Sequence, residues 1–258
     1  MAVARIKRTL FLRISMRRDP MEEKRIPELD LLRGIAVIGM ILVHFFYDLE
    51  YFGKTSLVLP KWLDMAGKYG HLIFILISGI CATLGHRTFH RGRLLFACGL
   101  LVSYVTLYME YILDFQKIGI WFGILHLLGL SMMLYPLFRD FYAWELCFLS
   151  LFLICAGLIF RRFTVEKTWL FPFGLCSEKQ YPGSDFFPLL PYFGWFLLGS
   201  AAGKWLYSER RSRLSWISRE NRISGFFQRV GQNSLLIYLI HQPVLMGITL
   251  ILKKTGAL

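Results

Sequence analysis

Seven near-continuous apolar runs constrain this 258-residue chain more than any other feature. They cover residues 34–52, 69–85, 94–113, 118–138, 141–160, 186–207 and 234–252. A helix needs about 20 mostly apolar residues to cross the hydrocarbon core of a bilayer. Lipid offers open backbone groups no partner, so a spanning segment must be a helix or part of a closed barrel. Runs of this length read as helices. The chain is therefore predicted to be all-α, a polytopic helical membrane protein with about seven transmembrane helices. Composition agrees: 55% of the residues are hydrophobic and 18% charged, against about 45–50% and roughly 25% in soluble domains. A lone soluble core and a disordered chain are both excluded.

The formal charge of +13 would suggest nucleic acid as a partner in a soluble protein. Here Lys and Arg fall between the apolar runs, so they report orientation, and no nucleic-acid partner is predicted. Residues 1–33, 86–93, 139–140 and 204–230 hold 20 of the 30 Lys and Arg. The other 10 lie in 53–68, at Lys117, in 161–185 and at Lys253 and Lys254. The positive-inside rule then puts the amino terminus in the cytoplasm and the carboxyl terminus outside, in a multi-pass protein of the cell membrane.

Residues 1–25 form a basic arm (Arg5, Lys7, Arg8, Arg13, Arg17, Arg18) without the apolar core or cleavage site of a signal peptide. Two readings stay open for its first part: a contact with anionic lipid, or an extension upstream of a working start at Met16 or Met21. Residues 26–254 read as one transmembrane domain with no internal repeat. Cys81, Cys98, Cys147 and Cys155 lie within apolar runs and read as buried small hydrophobes. Only Cys176 sits in a polar loop, and neither a disulfide framework nor a CxxC metal site is indicated.

Ionisable groups inside spans are costly in lipid, so each is a functional candidate facing the bundle interior. At 100° per residue Arg33, Val37, Met40, His44 and Asp48 share one stripe of the first helix. Arg33 sits at its cytoplasmic mouth and His44 eleven residues deeper, about 16 Å along the axis. His71 opens the second span at its outer end, and His126 lies below the outer end of the fourth. By depth these two and His44 are expected to meet in the outer half. Glu110 and Asp114 close the third span on that side, where a carboxylate orients an imidazole or holds an acceptor hydroxyl. The three histidines are not at HxxxH or HxH spacing, and no metal is expected. Gly231, Ser234, Tyr238 and His241 are read as one face of the last helix, followed by Gln242 and by Pro243, which frees a carbonyl. Gly119 and Gly123 form a GxxxG at the start of the fourth span, read as a close-packing signal.

Several stretches together resemble a known superfamily. Leu29–His44 (LDLLRGIAVIGMILVH) resembles the opening helix of the transmembrane acyltransferases, with the Arg-x10-His pattern in Arg33 and His44. Phe74–Gly85 (FILISGICATLG) resembles their second-helix Ser-Gly motif at Ser78. Trp121–Leu134, Phe186–Leu206 and Gly231–Leu245 resemble helices of the heparan-α-glucosaminide N-acetyltransferase catalytic domain and its bacterial relatives. The resemblance covers about residues 25–250.

The resemblance implies acyl transfer across a membrane, from cytoplasmic acetyl-CoA or another acyl-CoA to an extracytoplasmic acceptor, usually a sugar. Arg33, Asp30, Ser78, Tyr238 and His241 are then the donor-binding candidates. His44, His71 and His126, supported by Asp48 and Glu110, are the catalytic candidates. In the lysosomal member the proposed active histidine lies in the loop after the first helix. Residues 53–68 contain no histidine here, so the role falls to one of those three or is absent. The predicted partners are the lipid bilayer, acyl-CoA and a glycan or other acceptor; a homo-oligomer stays open. A small proton-coupled transporter using the same histidines is the alternative, although no inverted repeat supports it.

Overall fold

The computed structural model describes residues 26–53, 60–114, 118–163, 168–175, 185–209, 211–214 and 221–255. The basic arm, Lys117 and Cys176 lie outside them. The described residues form eight α-helices: α1 (Pro27–Gly53), α2 (Lys61–Leu84), α3 (Thr88–Ile112), α4 (Ile124–Leu134), α5 (Ala143–Phe160), α6 (Leu189–Leu206), α7 (Arg222–Gln232) and α8 (Ser234–Lys254). Short 3-10 turns at Tyr135–Leu137 and Thr168–Phe173 complete the order. Five helices, α1, α2, α3, α5 and α8, are long and apolar enough to cross a bilayer. This is an all-α, polytopic membrane protein. Its α3 leaves Leu100, Leu101, Tyr104 and Val105 exposed, as suits a helix whose solvent is lipid. Trp62, Tyr142, Trp144 and Trp205 are exposed near helix ends, where amphipathic rings favour the membrane–water interface.

The chain packs as two compact units. The first, residues 78–210, pairs α3 with α4 and α5 with α6. Its core holds Leu127, Leu128, Tyr135, Leu146, Phe196 and Leu197, all 2% exposed or less. The Lys204 ammonium, at the end of α6, donates to the carbonyls of Arg139 (2.6 Å) and Phe141 and so holds the turn between α4 and α5.

The second unit is discontinuous, formed by residues 25–77 and 211–258. Here α1 packs on both α7 and α8. Gly34 and Gly231 make the α1–α7 contact intimate: a Cβ on Gly34 would strike the Phe227 carbonyl, and one on Gly231 the Asp30 carbonyl. Glu28, in the first turn of α1 and 1% exposed, accepts from Ser212 Oγ (2.7 Å) and the Arg213 amide (2.8 Å). That carboxylate ties the two sequence-distant pieces together.

Four sequence expectations need correction. The fourth apolar run, 118–138, is not one long helix: α4 begins only at Ile124, and residues 118–123 are non-helical. Their backbone is satisfied by side chains of α3 instead. Glu110 Oε2 accepts from the Gly119 amide (2.5 Å), Thr106 Oγ1 accepts from the Ile120 amide (3.1 Å), and Ser103 Oγ donates to the Ile120 carbonyl (2.5 Å). Gly119 and Gly123 therefore form no helix-packing GxxxG. Gly119 admits the Glu110 carboxylate, which a Cβ would meet at 2.7 Å. Gly231 lies on α7, not on the last helix, because the chain breaks at Asn233, C-cap of α7 and N-cap of α8. None of the four cysteines read as buried is so: Cys155 is exposed on α5, and Cys81, Cys98 and Cys147 are half-buried.

Candidate active site

The long α1 needs no special explanation beyond its apolar run and its start, where Pro27 and the acidic Glu28 and Asp30 suit a helix N-terminus. Its inward stripe carries Val37, 1% exposed, and Asp48, 7% exposed. Arg33 Nη1 lies 3.3 Å from Asp30 Oδ1 and 3.4 Å from the Gly231 carbonyl. Asp30 Oδ2 accepts from Gln232 Nε2 at 3.1 Å. One cation, one carboxylate and the end of α7 are thus joined at the mouth of α1.

Deeper on the same stripe, His44 meets the last helix. Its Nδ1 lies 2.8 Å from His241 Nε2, and the two ring planes are within 17° of each other with centroids 5.0 Å apart. His241 Nδ1 lies 2.5 Å from the Tyr238 carbonyl one turn back, and the Tyr238 ring packs against it at 5.3 Å. One turn beyond His44, both oxygens of Asp48 accept from Gln242 Nε2, at 2.9 and 3.1 Å. Helix α8 passes through Pro243 without ending, although proline donates no hydrogen bond to the Leu239 carbonyl. The seam between α1 and α8 is therefore two polar pairs in apolar surroundings, an arrangement typical of functional intramembrane groups.

The other candidates are distributed as follows. His71 is half-buried on the part of α2 that belongs to the same unit. Ser78 is buried on α2, at the first residue of the other unit. His126 and Glu110 belong to that other unit, and both serve its backbone. His126, 2% exposed and stacked against Phe122, accepts from the Gly123 amide through Nδ1 (3.2 Å), with Nε2 3.5 Å from Ser103 Oγ. It stands at the third position of α4, where a side-chain acceptor reaches back to the helix start. Asp114 ends α3 with a left-handed backbone (φ 58°), a conformation that aspartate tolerates better than most residues.

Sequence reasoning did not foresee the His44–His241 pairing, the Gln242 grip on Asp48, or the Ser103–Thr106–Glu110 row. The last left a signal: polar residues at i, i+3 and i+7 mark one face of an otherwise apolar α3.

The fold and this seam define a polytopic α-helical membrane protein with a histidine pair between its first and last long helices. The sequence model of the family described as heparan-alpha-glucosaminide N-acetyltransferase, catalytic, matches residues 25–243, and the chain belongs to that family. No curated protein and no solved structure matched.

Proposed function

We propose that this protein is a membrane-embedded acyltransferase, moving an acyl group, acetyl by family, from cytoplasmic acyl-CoA to an extracytoplasmic acceptor, a glycan. The observation that supports it best is His44 on the Arg33 stripe of α1, in a chain of an acetyltransferase family. Donor phosphates bind at the mouth of α1 at Arg33, whose guanidinium Asp30 holds in place. Tyr238 lines the path of the donor arm, which ends near His44. His71 and Asp48 serve the acceptor. The catalytic domain runs over 26–254 and the 1–25 arm lies outside it.

His44 acts as general base. It takes the proton of the acceptor hydroxyl or amine as the acceptor heteroatom attacks the thioester carbonyl. The new carbon–oxygen or carbon–nitrogen bond forms, the carbon–sulfur bond breaks, and the proton passes from His44 to the leaving CoA thiolate. No metal or redox partner is needed for the balance.

Membrane vesicles carrying the protein, which contain their own acceptors, are supplied with radiolabelled acetyl-CoA at the cytoplasmic face. Label should enter vesicle glycans, and His44→Gln should lower the rate on the order of 10²–10⁴-fold, the usual loss for a general base. Equal labelling by wild type and His44→Gln, or no labelling above empty vesicles, overturns the reading.

A further inference from the structure

We infer that His241 is a positioning residue that fixes which nitrogen of His44 holds the reactive lone pair. The inference rests on the reading of His44 as the base.

The hydrogen-bond chain runs in one direction. A carbonyl oxygen only accepts, so at 2.5 Å from the Tyr238 carbonyl His241 Nδ1 must carry a proton. In neutral imidazole the other nitrogen is then an acceptor. His241 Nε2 therefore presents a lone pair to His44 Nδ1, 2.8 Å away, and His44 must donate there. This leaves the lone pair of His44 on Nε2. That atom makes no hydrogen bond among the described residues, and it is not among their sealed, unpartnered polar atoms, of which Ser131 Oγ is the one example. A base needs such an atom: unoccupied, reachable, and unprotonated at rest.

The same chain serves the next step. When His44 Nε2 takes the acceptor proton, the ring becomes cationic while its Nδ1–H still donates to His241. Hydrogen bonds from a charged donor are shorter and stronger than neutral ones, so the contact tightens as the charge develops. His241 does this with a backbone carbonyl behind it, not a carboxylate, so no second charge enters the membrane. The two ring planes lie within 17° of each other, as an in-plane N–H···N bond requires, and that bond restrains rotation of the His44 ring.

Two variants separate positioning from proton relay. Gln at 241 retains an oxygen that can accept from His44 Nδ1–H but cannot pass a proton on; Leu retains neither. In the vesicle assay with radiolabelled acetyl-CoA, His241→Leu should lower kcat on the order of 10–100-fold, as loss of a ligand-orienting partner does, with the donor KM unchanged. His241→Gln should recover most of that rate. In parallel, purified protein carrying nitrogen-15 histidine is examined by NMR, with His44→Gln assigning the His44 signal. Wild type and His241→Gln should show the Nδ1–H form of His44, and His241→Leu should show a shift to the other tautomer.

His241→Leu at wild-type rate, or His44 in the same tautomer in all three proteins, overturns the inference. His241→Gln as slow as His241→Leu overturns it in favour of a relay. If His44→Gln retains full transfer, the base reading fails, while the tautomer measurement still tests the geometry by itself.

Discussion

Asp48 and Gln242 meet one helical turn beyond the histidine pair, the single amide nitrogen reaching both carboxylate oxygens. Asp48 forms no ion pair among the described residues. The amide is thus the group that makes this buried carboxylate tolerable. Gln242→Leu should destabilise the protein by about 1–3 kcal/mol, the cost of stranding a buried polar group. Asp48→Asn retains an oxygen acceptor and should be close to neutral for folding. Thermal unfolding in detergent measures both, and an unchanged midpoint for Gln242→Leu would refute the role.

The Gly34–Gly231 approach makes a second expectation. Ala at 231 puts a Cβ against the Asp30 carbonyl, so α7 must move away from α1 and Arg33 loses the Gly231 carbonyl. Overpacking of this kind costs about 1–3 kcal/mol. Gly39, where a Cβ would meet nothing within 4 Å, is the control, and Gly39→Ala should leave the unfolding midpoint in place or raise it.

For His126 the outcome should depend on acceptor chemistry, not on acid–base chemistry. His126→Gln retains an acceptor at the third position of α4, where glutamine is a favoured back-bonding residue. It should fold and transfer label like wild type. His126→Ala leaves the Gly123 amide without its partner and should cost about 1–3 kcal/mol. A well-folded but inactive His126→Gln would return His126 to the list of chemical candidates.

Orientation is tested by cysteine labelling. The positive-inside reading of the 20-to-10 split of Lys and Arg expects residues 161–185 outside, so an impermeant thiol reagent should modify Cys176 in intact cells. Modification only after permeabilisation would invert the topology and with it the side from which the donor enters.

Where periodicity and apolar length decide structure, the sequence was readable: α1, α2, α3, α5 and α8 coincide with apolar runs. It misled at 118–123, since Ile118, Ile120, Trp121 and Phe122 are as apolar as any helix. Their non-helical path depends on Ser103, Thr106 and Glu110, groups offered by another helix. No local pattern reports that. The Asn233 break was legible, because an Asn-Ser pair is a good helix start and the apolar run begins at 234, but the spacing of Gly231, Ser234, Tyr238 and His241 drew Gly231 onto the last helix. Both His44 and His241 stood out as intramembrane imidazoles. Their pairing spans 197 positions and belongs to tertiary structure alone.

The discontinuity of the second unit has a consequence for biosynthesis. Residues 25–77 are made before the whole of the first unit, and 211–258 only after it. Until then Glu28 lacks Ser212 and Arg213, Asp48 lacks Gln242, and His44 lacks the ring that orients it. A nascent chain that stops short of α8 therefore holds His44 without its histidine partner and Asp48 without its amide, and the polar seam closes only once α8 is made.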